Sequence, residues 1–142
     1  MNLTKALKQK KKLIKKANDY YSRFLASNSF EKDTTPAYNP EEMFNNWVAT
    51  TNELVTLKTK IQIANQPIAN KIFELGELKN LVASFKRIVT QKGAVRDRYN
   101  GESIEYVCYF DQVQKDEQIT KWEEQIETLQ EEIEAFNALT KI

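Results

Sequence analysis

Apolar residues recur every three or four positions over most of this chain, and that rhythm predicts helices. Over residues 2–26, Leu3, Leu7, Lys10, Ile14, Ala17, Tyr21 and Phe24 follow a 4-3-4-3-4-3 spacing. This is a heptad seam with one lysine set into it. Thr4 stands near its start as a candidate cap. Residues 27–39 are rich in Ser, Asn, Thr and Pro and read as a loop. Asn39 then precedes Pro40, Glu41 and Glu42. A side-chain acceptor, a preset φ and two acids facing the positive helix end make a strong helix start. Met43, Trp47, Thr50, Leu54, Leu57, Ile61 and Ala64 carry the same heptad spacing to about residue 65, where Asn65-Gln66-Pro67 interrupts it.

A third helix is predicted over about 70–92, with Leu75, Leu78, Val82, Phe85 and Val89 on its apolar face, Ile72 and Ile88 alongside, and Gly93 as its stop. The rhythm then changes. Asn100-Gly101 is a tight-hairpin dipeptide, and Ile104 to Phe110 is rich in β-branched and aromatic residues. A short ribbon is expected here, or one strand that pairs with its copy in another subunit. Asp111 then caps a last helix over about 112–140, with Ile119, Trp122, Ile126, Leu129, Ile133 and Phe136 on one stripe. The expected architecture is mainly α. Four long amphipathic helices lie in a bundle or coiled-coil arrangement, with a short β-ribbon or strand at about 95–110 before the last helix. All of it is expected to fall in one domain, residues 1–142. With 3 Gly and 3 Pro in 142 residues, the chain has few breaks, as long elements require.

Charge adds a polarity that the hydrophobic pattern lacks. Residues 1–30 hold eight basic residues against Asp19 alone, a net of +7, whereas residues 111–142 hold nine acids against three lysines, a net of −6. The first and last helices should attract each other, within one chain or between two. Cys108 is the single cysteine, so no intrachain disulfide forms. The N-terminal lysines precede no apolar run, and no stretch nears the roughly 18 apolar residues of a membrane span. A reducing cytoplasm is the expected location.

The order of elements resembles that of the septicolysin-like family of small helical bacterial proteins. The resemblance rests on Leu3-x-x-Ala6-Leu7, Pro40-Glu41-Glu42, Ile61-x-x-x-Asn65, Arg96-Asp97-Arg98-Tyr99, Ser103-Ile104-Glu105-Tyr106-Val107 and Asn137-x-x-Thr140-x-Ile142. It implies a helical fold, no agreed reaction and, by name only, a relation to cytolysins. The residues do not suit a pore former: the Ile104–Phe110 segment is too short for a transmembrane strand of about 10 residues.

Absent residues exclude more chemistry than present ones suggest. With no histidine, the Ser-His-Asp triad, the Cys-His pair, His-ligated zinc and the Glu-x-x-His di-iron bundle all fall away. The scattered glycines make no phosphate loop. No cofactor and no metal site are expected. Cys108 reads as a buried structural residue within a strand, and Glu123, Glu127 and Glu131 as a solvated face or a partner for lysines. Arg96, Asp97, Arg98 and Tyr99 are the main polar cluster, read either as a structural knot in which Asp97 holds one arginine and both tether the hairpin to the acidic last helix, or as a grip for an anion or a partner's acidic helix. Lys8, Lys11, Lys12 and Lys15 form a candidate basic contact surface. The expected function is non-enzymatic: a homo-oligomeric helical protein acting in protein–protein interaction or scaffolding, with an as yet unidentified protein partner. The alternative is an accessory protein that binds nucleic acid or an anionic membrane surface through the basic first helix.

Overall fold

The computed structural model describes residues 1–96, 98, 99 and 101–142. It is mainly helical: α1 (Leu3–Ser27), α2 (Pro40–Asn65), a single 3-10 turn (Gln66–Ile68), α3 (Ala69–Phe85), a two-stranded ribbon β1 (Gly93–Arg96) and β2 (Ser103–Tyr106), and α4 (Gln112–Leu139). Four helices with a short antiparallel ribbon before the last is the expected fold class. The chain divides into two compact units, Met1–Ile68 with Glu134–Ile142, and Ala69–Ile133.

In the first unit α1 and α2 form an antiparallel hairpin. Leu3, Ala6 and Leu13 share a core cluster with Leu57 and Ile61, while at the other end Phe24 lies 5.5 Å from Phe44 and Tyr21 lies 4.9 Å from Trp47, between ring centroids. The seam of α2 is the predicted one: Met43, Thr50, Leu57 and Ile61 are buried, with Trp47, Leu54 and Ala64 half-buried between them. The seam of α1 is rotated from the predicted one. Ala6, Leu13 and Ser27 are buried, whereas Ile14 and Tyr21 are exposed. The inward stripe is Leu3, Ala6, Lys10, Leu13, Ala17, Tyr20 and Phe24, a 3-4-3-4-3-4 alternative. The two stripes share Leu3, Lys10, Ala17 and Phe24, and small Ala6 in place of Leu7 lets the helices approach more closely on the observed one.

The first helix is capped by Asn2, not Thr4. The Asn2 Oδ1 accepts from the Lys5 amide at 2.9 Å, and its Nδ2 donates to the Ala138 carbonyl at 3.3 Å. Asn2 and Lys141 form an antiparallel bridge; the Leu3 amide donates to the Thr140 carbonyl at 2.7 Å and the Ile142 amide to the Met1 carbonyl at 3.1 Å. Phe136 and Ile142 pack on the hairpin core beside it. Asn39 caps α2 as predicted, accepting from the Glu42 amide at 3.2 Å.

The second unit pairs α3 with the residues 112–133 of α4. Leu78, Val82 and Leu129 are buried, and Phe85 sits edge-on to Phe110 and Trp122 at 5.0 and 5.3 Å. The helix α3 ends at Phe85 rather than near residue 92, and Val89 is exposed. Its end is tied down from outside. The Lys115 ammonium donates to the Lys86 and Ile88 carbonyls at 2.9 and 3.3 Å, supplying donors that further helix would otherwise provide. Gly93 is accordingly not a helix stop; at φ +91° it opens β1. Pairing runs from Gly93↔Tyr106 to Arg96↔Ser103 within one chain. The strand stops at Tyr106, not Phe110, because β1 offers no partner before Gly93. Of the Asn100-Gly101 turn, Asn100 lies outside the described residues and Gly101 has φ +70°.

Candidate functional site

The cluster of Arg96, Asp97, Arg98 and Tyr99 stands at the tip of the ribbon. Arg96 is the last residue of β1, and Arg98 and Tyr99 occupy the turn that follows. All three are exposed, Tyr99 to 98%. Asp97 lies outside the described residues. Among the described residues, the three ion pairs are Lys71–Glu132 at 2.9 Å, Lys86–Glu123 at 3.8 Å and Lys92–Asp111 at 3.5 Å, and none involves Arg96 or Arg98. Two exposed guanidinium groups at this tip can take an anion or a carboxylate-bearing partner.

Lys8, Lys11, Lys12 and Lys15 are all exposed on α1. Lys8 and Lys11 line one open groove of about 510 Å³ together with Thr4, Leu7, Glu134, Asn137 and Ala138. Lys12 and Lys15 do not line it. The Oδ1 of Asn137 is buried there without a hydrogen-bond partner. Sequence reasoning missed this groove; its signal was Asn2 and Asn137, two amides placed where the first and last helices start and end. Among the described residues no ion pair joins the basic first helix to the acidic last one; Glu134 shares the lining of this groove with Lys8 and Lys11. The acids Glu132 and Glu123 pair instead with Lys71 in α3 and with Lys86 just past its end, because α3 is the neighbour of that part of α4.

Around the base of the ribbon the contacts are structural. Asp111 Oδ1 accepts from the Gln114 amide at 2.8 Å, and Gln114 Oε1 accepts from the Asp111 amide at 3.0 Å, a reciprocal cap on α4. The Gln114 amide is the chief cause holding the Asp111 carboxyl below its ordinary pKa; desolvation opposes it and the Lys92 ammonium adds to it. Cys108 is not in the strand but follows it, half-buried, with its Sγ 4.0 Å from the Thr90 carbonyl. Among the described residues no three His, Cys, Asp or Glu side chains converge as metal ligands, and no described helix is long and apolar enough to cross a membrane.

The elements and surfaces together define a class: a mainly helical protein with an antiparallel helical hairpin, a second helix pair and an exposed ribbon. Residues 10–142 match the family of unknown function DUF6847, and the chain belongs to that family. No curated protein matches it. A solved structure, described as a functionally unknown conserved protein from Corynebacterium diphtheriae, has the same fold: its TM-score is 0.79 at 20% identity over 99% of this chain and 97% of that one. The resemblance to the septicolysin-like family is thereby corrected, since the match is to a different family and neither comparison leads to septicolysins. Several of the residues that carried it are general helix devices: Leu3 and Ala6 are 0% exposed seam positions, Pro40-Glu41-Glu42 is a helix start, and Thr140 and Ile142 bond to residues 3 and 1. Any long helical hairpin needs such features, so they do not discriminate families. The cytolysin reading falls with the name.

Proposed function

We propose that this protein is non-enzymatic and acts through protein–protein contact, with copies of itself among its partners. Exposed apolar surface carries the proposal, on the α1–α2 hairpin, where Leu25, Phe44 and Val55 stand open, and on the ribbon. Every residue of β2 is exposed, including Ile104 and Tyr106, and Val107 and Tyr109 beyond it are more exposed still. An isolated two-stranded ribbon is marginal in water, and exposed edges with apolar side chains favour pairing with another chain. Native mass spectrometry of the purified protein tests the reading. A dimer or larger assembly without added mass supports it, and a monodisperse monomer that retains no protein partner refutes it.

A second reading rests on a separate observation. Lys8, Lys11, Lys12 and Lys15 are solvated and, among the described residues, take part in no ion pair. Such a surface suits phosphates of nucleic acid or anionic lipid. Binding would weaken steeply with salt and vanish on changing these four lysines to glutamate; retention in that variant would remove this reading.

A further inference from the structure

The hairpin of α1 and α2 carries a second seam beside its buried one. On α1, Ile14, Tyr21 and Leu25 lie one step round the helix from Leu13, Ala17 and Phe24; on α2, Phe44, Val48 and Val55 flank Met43, Trp47 and Leu54. In an antiparallel pair, the flank reached by the same rotation from each buried seam lies on one side. The Tyr21–Trp47 contact at 4.9 Å ties the flank of α1 to the seam of α2, and the Phe24–Phe44 contact at 5.5 Å ties the seam of α1 to the flank of α2. Two adjacent heptad stripes on a helix are what a bundle interior requires, whereas an isolated pair needs one.

One end of this face is already covered. The last turns of α4 lie beside Leu7, with Phe136 on the core and Glu134 near Lys8 and Lys11. From Ile14 onward the face is open among the described residues. The six apolar side chains there are 37–65% exposed. The positions set between them are Asn18 and Thr51, polar but uncharged, so the lysines of α1 stay out of the open stretch. A self-complementary contact thus meets no like charges at its centre, and the nearest lysines, Lys11 and Lys15, border only its Ile14 end.

We propose that the open stretch seats the same stretch of a second copy, so that two hairpins build a four-helix arrangement. The proposal rests on the interaction reading above and names the surface that serves it. Six side chains offering on the order of 100 Å² each would bury roughly 1,200 Å² across two copies, the lower edge of a stable interface. An isolated asparagine in an apolar seam fixes register, the part Asn18 takes here.

Sedimentation equilibrium of the full chain tests this, comparing the wild type with the Ile14→Glu/Val48→Glu double variant and with Tyr106→Glu on the ribbon. The expected result is a wild-type dimer, association at least 100-fold weaker in the double variant, an undisturbed dimer in Tyr106→Glu, and unchanged helical circular dichroism in all three. A dimer equally tight in the folded double variant overturns the assignment of this face and leaves the interaction reading standing. If the double variant does not fold, Asn18→Leu serves instead: a tighter dimer supports the assignment, and unchanged association overturns it. A wild type that is monomeric at all concentrations, and whose face binds a labelled acidic peptide copied from residues 117–136, overturns it in favour of an acidic helix. A monomer that binds neither overturns this proposal and the self-association it rests on.

Discussion

Asn2 performs two tasks with one amide. Its oxygen caps α1 through the Lys5 amide, and its nitrogen holds the Ala138 carbonyl at the far end of the chain. Asn2→Ala loses both and should cost about 1–2 kcal/mol in chemical denaturation. Asn2→Asp keeps the acceptor but loses the donor, and should fall between that variant and the wild type. Asp111 offers a pH-dependent counterpart. Its pKa is lowered in the folded protein, so the unfolded chain takes up the proton first as acid is added. The stabilisation is complete above the ordinary carboxylate pKa and disappears as pH falls through the lowered one. Thermal unfolding followed over that acidic window should show less pH dependence in Asp111→Asn than in the wild type.

Among the elements, the bounds, cap and seam of α2 were legible, and α1 was legible except for its cap and its rotation. Both stripes of α1 have heptad spacing and share Leu3, Lys10, Ala17 and Phe24; they differ at Leu7, Ile14 and Tyr21 against Ala6, Leu13 and Tyr20, and hydrophobicity favours Leu7 over Ala6. Packing distance decides otherwise, and sequence periodicity carries no information on distance. The consequence is measurable in protein dilute enough to be monomeric: Leu13→Ala should lose about 2–4 kcal/mol, and Ile14→Ala less than about 1 kcal/mol. The end of α3 was not legible because it is set by Lys115, far along the chain. The ribbon was legible as a break in period but not in register, which Gly93 fixes through its positive φ. A Cβ on Gly93 would meet open space, so Gly93→Ala pays only for conformation, about 1 kcal/mol. Faster amide exchange in β2 alone would report it.

For the whole molecule, the charge asymmetry read from the sequence is real but is used locally. Of the acids of α4, Glu132 and Glu123 pair with Lys71 and Lys86, and Glu134 lines the groove beside Lys8 and Lys11. The candidate site was legible only as residues: Arg96 and Arg98 fall on a solvated tip, and the groove that joins the first and last helices depends on a contact between positions more than 130 residues apart. Phe136 is the main apolar anchor of that contact. Phe136→Ala should lower stability by about 2–3 kcal/mol, less than a fully buried phenylalanine because this ring is only half-buried.

The bridge between Asn2 and Lys141 also sets an order of assembly. The α1–α2 hairpin closes across one short connection, whereas the bridge closes nearly the entire chain into a single loop, and the entropy of closure grows with loop length. Contacts of such high sequence separation form late. The hairpin should therefore fold first and the tail of α4 dock last. In phi-value terms, Leu57 belongs near the nucleus, and Phe136 near zero.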